Sequence, residues 1–257
     1  MLNIERKIDV MIPTRNEANI RPKLMNVLNK ADWVRDIIIE TSKPLSTARK
    51  TGALKCQTEW LAMFDDDVEI PEEWLYGMLL YRRYISPKTL AISSPSLNAN
   101  IPHYLAFQKI SNRLVGLRNL KTPFVDNTLI KRSVFENYNP EPCFYAEDEL
   151  LHNYVLSIGE WRHTDYIGVK HYYNDKDSYH GGFTEQHYNL TPFWRLCIRM
   201  LERSILPVLA VHYSHSFKTV PYWYKKNQRE LIGYIRGKLG CAYDERVYKK
   251  KYSKNKA

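Results

Sequence analysis

Acidic side chains crowd one point of the sequence. Three consecutive aspartates, Asp65, Asp66 and Asp67, directly follow the apolar run Trp60–Phe64. Like charges this close repel one another, and each carboxylate loses hydration on burial. A divalent cation would relieve the repulsion, and carboxylate oxygens suit Mg²⁺ or Mn²⁺. The pattern predicts a metal site; the alternative is a solvated acidic turn that caps a helix beginning near Pro71.

The elements that position these aspartates alternate between strands and helices. Strands are predicted at Ile8–Ile12, Val34–Ile39 and Trp60–Phe64, with helices at Ile20–Leu28 and Ser46–Cys56 between them. This alternation predicts a mostly parallel sheet with helices on both faces. Such sheets bind ligands beyond the carboxyl ends of their strands, where Glu40 and the aspartates fall.

The second half of the chain contains further elements and then changes character. Helices are predicted at Pro71–Tyr84, Tyr104–Leu117 and Glu147–Ser157, and extended segments at Leu90–Ser94, Thr122–Ile130 and Tyr166–Tyr173. Beyond Glu185 the sequence is helical in pattern and rich in Trp, Tyr, Leu, Arg and Lys. We therefore expect an α/β domain over residues 1–180 and a basic, aromatic-rich helical region over residues 181–257.

The positive charge of the chain is confined to its C-terminal part. Residues 1–194 hold 23 Lys and Arg against 24 Asp and Glu, a net of −1, whereas residues 195–257 hold 15 against 4, a net of +11. Trp194–Tyr224 interleaves aromatic and basic residues around the apolar Ile205–Val211. This composition indicates a helix at an anionic membrane surface. The alternative is a helical pair packed on the first domain with a solvated basic face.

A basic tail could also bind other polyanions. Lysine-rich segments bind nucleic acid through its phosphates, so a nucleic-acid-binding protein is a rival interpretation. It leaves the acidic strand ends unexplained, and nucleic acid is therefore not the expected partner.

Cysteine usage and hydropathy bear on location. The four cysteines, Cys56, Cys143, Cys197 and Cys241, form no closely spaced pair, which indicates reduced thiols. Residues 1–7 are polar, and no apolar run approaches the roughly 20 residues of a spanning helix. We expect a cytoplasmic protein, peripheral on the cytoplasmic face of the membrane if the tail binds lipid.

Several motifs occur in the order found in family 2 glycosyltransferases of the GT-A fold, which the chain resembles over roughly residues 8–175. They are Ile12–Glu17, Ser46–Gly52, Met63–Asp67 and Pro71 with Trp74 and Leu75, followed by Phe124–Phe135, similar to the segment on the acceptor side, and Ala146–Leu150, similar to the Glu-Asp motif. The resemblance implies a Rossmann-like domain with a mostly parallel mixed sheet flanked by helices.

The resemblance also implies roles for individual residues. The nucleotide-sugar pocket would be lined by Pro13, Thr14, Arg15, Glu17, Glu40, Arg49, Asp65 and Asp66. The metal ligands would come from Asp65, Asp67, Glu69 and His171, and Asp148 would be the general base. For three of these the residues leave an alternative: Glu69 as a solvated carboxylate, His171 as a structural histidine, and Arg49 as the partner of a carboxylate.

The implied activity is an inverting, metal-dependent transfer of a sugar. The donor would be a UDP- or GDP-sugar, the cofactor Mn²⁺ or Mg²⁺, and the acceptor a lipid-linked sugar or another glycan. A sugar-1-phosphate nucleotidyltransferase is a second rival, since it would share the sheet and the metal. That class would need a glycine-rich loop after the first strand, and Pro13–Glu17 contains no glycine.

Overall fold

The computed structural model describes residues 7–80, 86–99, 106, 125–140, 147–164, 167–172, 186 and 192–239. The chain divides into two compact units, one formed by Met1–Asp175 with Leu209–Ser216 and the other by Lys176–Val208 with Phe217–Ala257. Apart from Ala106, the helix predicted at Tyr104–Leu117 lies outside the described residues, as does the lysine-rich end of the chain.

The first unit is built on a six-stranded sheet. Its strands are β1 (Ile8–Pro13), β2 (Val34–Glu40), β3 (Trp60–Phe64), β5 (Thr89–Ser93), β7 (Asn127–Lys131) and β8 (Glu160–His163), in the order β2-β1-β3-β7-β5-β8. Strand β1 is parallel to β2 and β3, and β5 is parallel to β8, whereas β7 is antiparallel to both of its neighbours. The predicted mostly parallel, mixed sheet is confirmed.

Helices cover both faces of this sheet, because alternate residues of each strand point to opposite sides. The helices are α1 (Pro22–Lys30), α2 (Leu45–Lys55), α3 (Trp74–Leu80), α4 (Val134–Asn137) and α5 (Glu147–Ile158), with a short 3₁₀ helix at Glu17–Asn19. In β1, Val10 and Ile12 join a core with side chains of α1 and α3. Met11 joins the opposite core with side chains of α2, α4 and α5.

A second, three-stranded sheet was not expected from the sequence. It contains β4 (Val68–Glu69), β6 (Ser96–Asn98) and β9 (Val169–His171), in the order β4-β9-β6. Strand β4 begins directly after the three aspartates and pairs antiparallel with β9, with Val68 opposite His171. This pairing brings a residue from late in the chain beside the acidic segment.

The second unit contains an antiparallel pair of helices. They are α6 (Phe193–Ser214), of which only the part up to Val208 belongs to this unit, and α7 (Thr219–Lys238). The rings of Phe193 and Tyr234 lie 6.1 Å apart between centroids, and the Asn227 amide donates to the Met200 carbonyl at 3.3 Å. The buried carboxylate of Glu230 forms ion pairs with Arg199 and Arg203. Among the helices described, none combines the length and apolar character needed to cross a bilayer.

The junction between α5 and β8 requires a residue without a side chain. A Cβ atom at Gly159 would lie 2.5 Å from Leu90 Cδ1 and 2.7 Å from the Lys88 carbonyl oxygen. Because the oxygen belongs to the backbone, it cannot move aside without shifting the start of β5.

We therefore expect Gly159→Ala to lower the free energy of unfolding by about 1–3 kcal/mol through overpacking. Urea denaturation measures this change. The matched control is Gly168→Ala, where the nearest atom to an added Cβ is the Pro95 carbonyl oxygen at 3.4 Å. Equal stabilities of the two variants would contradict the explanation.

Candidate active site

The three aspartates after β3 each contact a different partner. Asp65 Oδ1 accepts a hydrogen bond from Arg49 Nη2 at 2.8 Å, and Asp66 Oδ2 accepts one from the Thr14 hydroxyl at 2.5 Å. Asp67 Oδ1 lies 2.9 Å from His171 Nε2 as an ion pair. These partners thus offset part of the repulsion among the three aspartates, for which the sequence predicts a cation.

His171 is held between two carboxylates. Its Nδ1 lies 3.0 Å from Asp126 Oδ2, on the opposite side of the ring from Asp67. Burial alone would lower the pKa of His171, but Asp126 and Asp67 outweigh burial and raise this pKa to about 10. Asp126, itself buried, also accepts a hydrogen bond from the Ser96 hydroxyl at 2.5 Å. Asp126 therefore fixes the orientation of the imidazole toward Asp67.

A divalent cation fits beside these side chains. Asp65, Asp67 and His171 can each offer one ligand atom, and these atoms lie within 4.8 Å of one another. Two carboxylates with one imidazole suit a first-row divalent ion such as Mn²⁺, and an imidazole whose second nitrogen contacts a carboxylate is the usual arrangement of a histidine ligand. His171 would have to release its proton to bind the ion.

Glu69, the remaining predicted ligand, lies outside this group of three. Its carboxylate accepts hydrogen bonds from Arg21 Nη2 at 2.8 Å and from the Tyr172 hydroxyl at 3.0 Å. Burial would raise the pKa of Glu69, but the bonds from Arg21 and Tyr172 outweigh burial and lower it. The Arg21 guanidinium also stacks on the Tyr172 ring, 3.4 Å from its centroid. These contacts give Glu69 a structural role in joining α1 to the strand pair β4–β9.

Arg49 joins the acidic segment to the start of α5. Its side chain is buried, and Nη2 contacts Asp65 Oδ1 at 2.8 Å and Glu147 Oε1 at 3.3 Å. Burial would lower the pKa of Arg49, but the charges of Asp65 and Glu147 outweigh burial and raise this pKa above its ordinary value. The guanidinium therefore stays charged, and the contacts favour the alternative in which Arg49 pairs with carboxylates.

Asp148, the predicted base, lies in the first turn of α5. Burial raises the pKa of its carboxyl, and the neighbouring charges of Glu147 and Glu149 raise it further, against the influence of Arg49, to about 7. The Glu149 backbone N–H donates to Asp148 Oδ1 at 2.9 Å. A carboxyl that titrates near neutral pH can both accept and release a proton there.

The other predicted pocket residues lie around the ends of β1 and β2. Pro13 is the buried last residue of β1 and pairs in register with Glu40, while Arg15 and Glu17 are exposed on the segment that follows. The Glu40 carboxylate accepts hydrogen bonds from Lys55 Nζ at 2.7 Å and from the Ser42 backbone N–H at 3.0 Å. Glu40 thus ties α2 to the end of β2.

Two residues of the site were not singled out from the sequence. Asp126 orients His171, and Glu147 shares Arg49 with Asp65. Asp126 did carry a signal, since it stands with Asn127 immediately before the strand-forming residues Thr128–Ile130, as the three aspartates stand immediately after Trp60–Phe64. Glu147 belongs to the Glu-Asp motif, but its partner could not be identified without the fold.

Removal of Arg49 should be costly. We expect Arg49→Met to lower the free energy of unfolding by about 3–5 kcal/mol, because Asp65 and the buried Glu147 would lose their counter-charge. Urea denaturation measures the effect. The control is Arg132→Met, since Arg132 forms a partly exposed ion pair with Glu136 in α4, and pairs of this kind contribute only about 0–1 kcal/mol. A loss from Arg49→Met no greater than that of the control would contradict the assignment.

One comparison with known proteins, that with protein-family models, agrees with the sequence motifs. Residues 32–138 match the family model described as glycosyl transferase family 2. No curated protein matches the sequence. Among solved structures, the chain is similar to glucosyl-3-phosphoglycerate synthase from Mycobacterium tuberculosis in complex with Mn²⁺, UDP-glucose and phosphoglyceric acid, at 12% identity and a TM-score of 0.47, over 82% of this chain and 80% of that one. The same enzyme with Mg²⁺ and UDP matches at 11% identity and a TM-score of 0.46, over 66% of this chain and 72% of that one.

The match over residues 32–138 confirms the resemblance, and the chain accordingly contains a domain of glycosyl transferase family 2 and is a glycosyltransferase.

Proposed function

We propose that the protein is an inverting, metal-dependent glycosyltransferase that moves a sugar from a UDP- or GDP-sugar to an acceptor hydroxyl. The observation that carries this proposal is the meeting of Asp65, Asp67 and His171 beyond the end of β3, in a segment linked through Arg49 to Glu147, the first residue of α5 and the neighbour of Asp148. Arg49 thus connects the metal-binding group to the helix that carries the candidate base.

The donor would bind on the side of Asp65 and Asp67. A divalent cation bound there, Mn²⁺ or Mg²⁺, would neutralise charge on the departing nucleoside diphosphate. Asp126 supports this use by holding the His171 ring toward Asp67. Arg49 supports the same use by holding Asp65 in place, since its buried guanidinium forms ion pairs with Asp65 and Glu147.

Asp148 would take the proton of the acceptor. A hydroxyl is a poor nucleophile, and a carboxylate within hydrogen-bond reach accepts its proton while the bond to the anomeric carbon forms. Attack on the face opposite the diphosphate would invert the anomeric configuration. Hydrolysis of the donor is the same reaction with water as the acceptor, which allows a test before the physiological acceptor is identified.

Metal-dependent donor binding is the first test. With Mn²⁺ present, we expect one class of UDP- or GDP-sugar to raise the melting temperature by roughly 5–10 °C when its concentration exceeds Kd about a hundredfold. Asp67→Ala should abolish the Mn²⁺-dependent shift because a ligand is lost, whereas Asp36→Ala, which removes an exposed aspartate of β2, should preserve it. An undiminished shift in Asp67→Ala would sink the metal assignment.

The pH dependence of donor hydrolysis tests the base. Asp148 must be ionised to accept a proton, and its pKa is raised to about 7, so the rate should rise with pH with a midpoint near 7 and level off above it. Asp148→Asn should bind the donor with unchanged affinity, hydrolyse it about 10²–10⁴-fold more slowly and lose this titration. A midpoint near the ordinary aspartate pKa of about 4, or an unchanged rate in Asp148→Asn, would rule Asp148 out as the base.

A further inference from the structure

Helix α6 presents an apolar face to solvent. Five of its side chains each keep between 50% and 61% of their surface exposed: Trp194, Ile198, Leu201, Ile205 and Val208. Their spacing of three or four residues aligns them along one side of the helix. At about 1.5 Å per residue the row is about 21 Å long. We call these five residues the apolar stripe.

The opposite side of α6 already packs within the protein. Leu196 and Leu206 are buried there, and Arg203 forms its ion pair with Glu230 of α7. A helix at the surface of a water-soluble protein normally carries one apolar side, which it buries. Here the apolar stripe is additional to the side that packs, and exposed apolar patches of this extent mark interaction sites.

Charge indicates which kind of partner would fit the apolar stripe. Residues 195–257 carry a net charge of +11, and exposed cations on α7 include Lys225, Arg229 and Arg236. A second copy of the chain would bring an equal positive charge to the interface and be repelled. A nucleic acid would attract the cations but would leave the aliphatic side chains of the stripe in water. Anionic lipid satisfies both, because acyl chains receive the apolar side chains and headgroups attract the cations.

We propose that the apolar stripe is a docking surface for an anionic phospholipid membrane, toward which the positive charge of residues 195–257 attracts the chain, with α6 lying in the plane of the interface. Trp194, next to Arg195 whose guanidinium is 5.2 Å from its ring centroid, has the amphipathic character of a residue at the headgroup boundary. This inference does not rest on the transfer reaction, since the stripe and the proposed metal ligands belong to different units of the chain.

Co-sedimentation of the full chain with vesicles tests the proposal. We expect binding to phosphatidylcholine vesicles that contain about one third phosphatidylglycerol, weaker binding at high salt, and little binding to phosphatidylcholine alone. The double variant Leu201→Glu with Ile205→Glu should reduce the partition coefficient about tenfold or more, since two anchors are lost and two repelling charges are added. Leu156→Glu, which alters a half-exposed leucine of α5, should bind as the unaltered chain does.

Two further measurements keep the proposal falsifiable if the double variant folds poorly. Brominated lipid should quench tryptophan fluorescence in the unaltered chain, and Trp194→Phe should remove most of that quenching. Light scattering without lipid should show a monomer. Equal vesicle binding by the stripe variants and the unaltered chain, or unchanged quenching in Trp194→Phe, would overturn the proposal. A dimer that Ile205→Glu dissociates would likewise assign the apolar stripe to self-association instead.

Discussion

The site depends on how three adjacent negative charges are kept at the end of one strand. Each of Asp65, Asp66 and Asp67 contacts a partner from a different place in the chain. The partners are a buried arginine in α2, a threonine after β1 and a histidine in β9. Two of these partners are cationic, so the protein can hold the acidic segment in place without any bound ion. A divalent ion would then replace the proton of His171 in a site whose geometry already exists.

The small second sheet makes this arrangement possible. Without the pairing of β4 with β9, His171 would have no fixed relation to Asp67, more than a hundred residues earlier in the sequence. Strand β6 adds Ser96, which bonds Asp126, so the same sheet also helps to hold the carboxylate that orients the histidine. Strands of two or three residues have little stability by themselves, and this sheet exists because its side chains meet others from the main core.

Much of the first unit could be predicted from the sequence because its signals are local. Strands β1, β2 and β3 are apolar runs, and α1, α2 and α5 have helical periodicity, so each was predicted to within a few residues. Strands β4, β6 and β8 were missed because they are short, partly polar and defined only by pairing across the chain. The electrostatic argument for a cation was incomplete for a related reason. No local pattern indicates that Arg49 and His171 lie beside the aspartates.

The antiparallel pairing of β3 with β7 in the main sheet brings Asp65 and Asp126 together. Because β7 runs opposite to β3, its first residue lies where β3 ends, with Asn127 opposite Phe64 in the hydrogen-bonded ladder. The residue before β7 and the residue after β3 are thereby neighbours, and the Asp65 amide donates to the Asp126 carbonyl at 3.2 Å. The antiparallel ladder thus fixes the positions of Asp65 and Asp126 at one edge of the sheet. Insertion or deletion of one residue within either strand would turn one of these two carboxylates away from that edge. Length in these two strands should accordingly tolerate far less change than length in the connections around them.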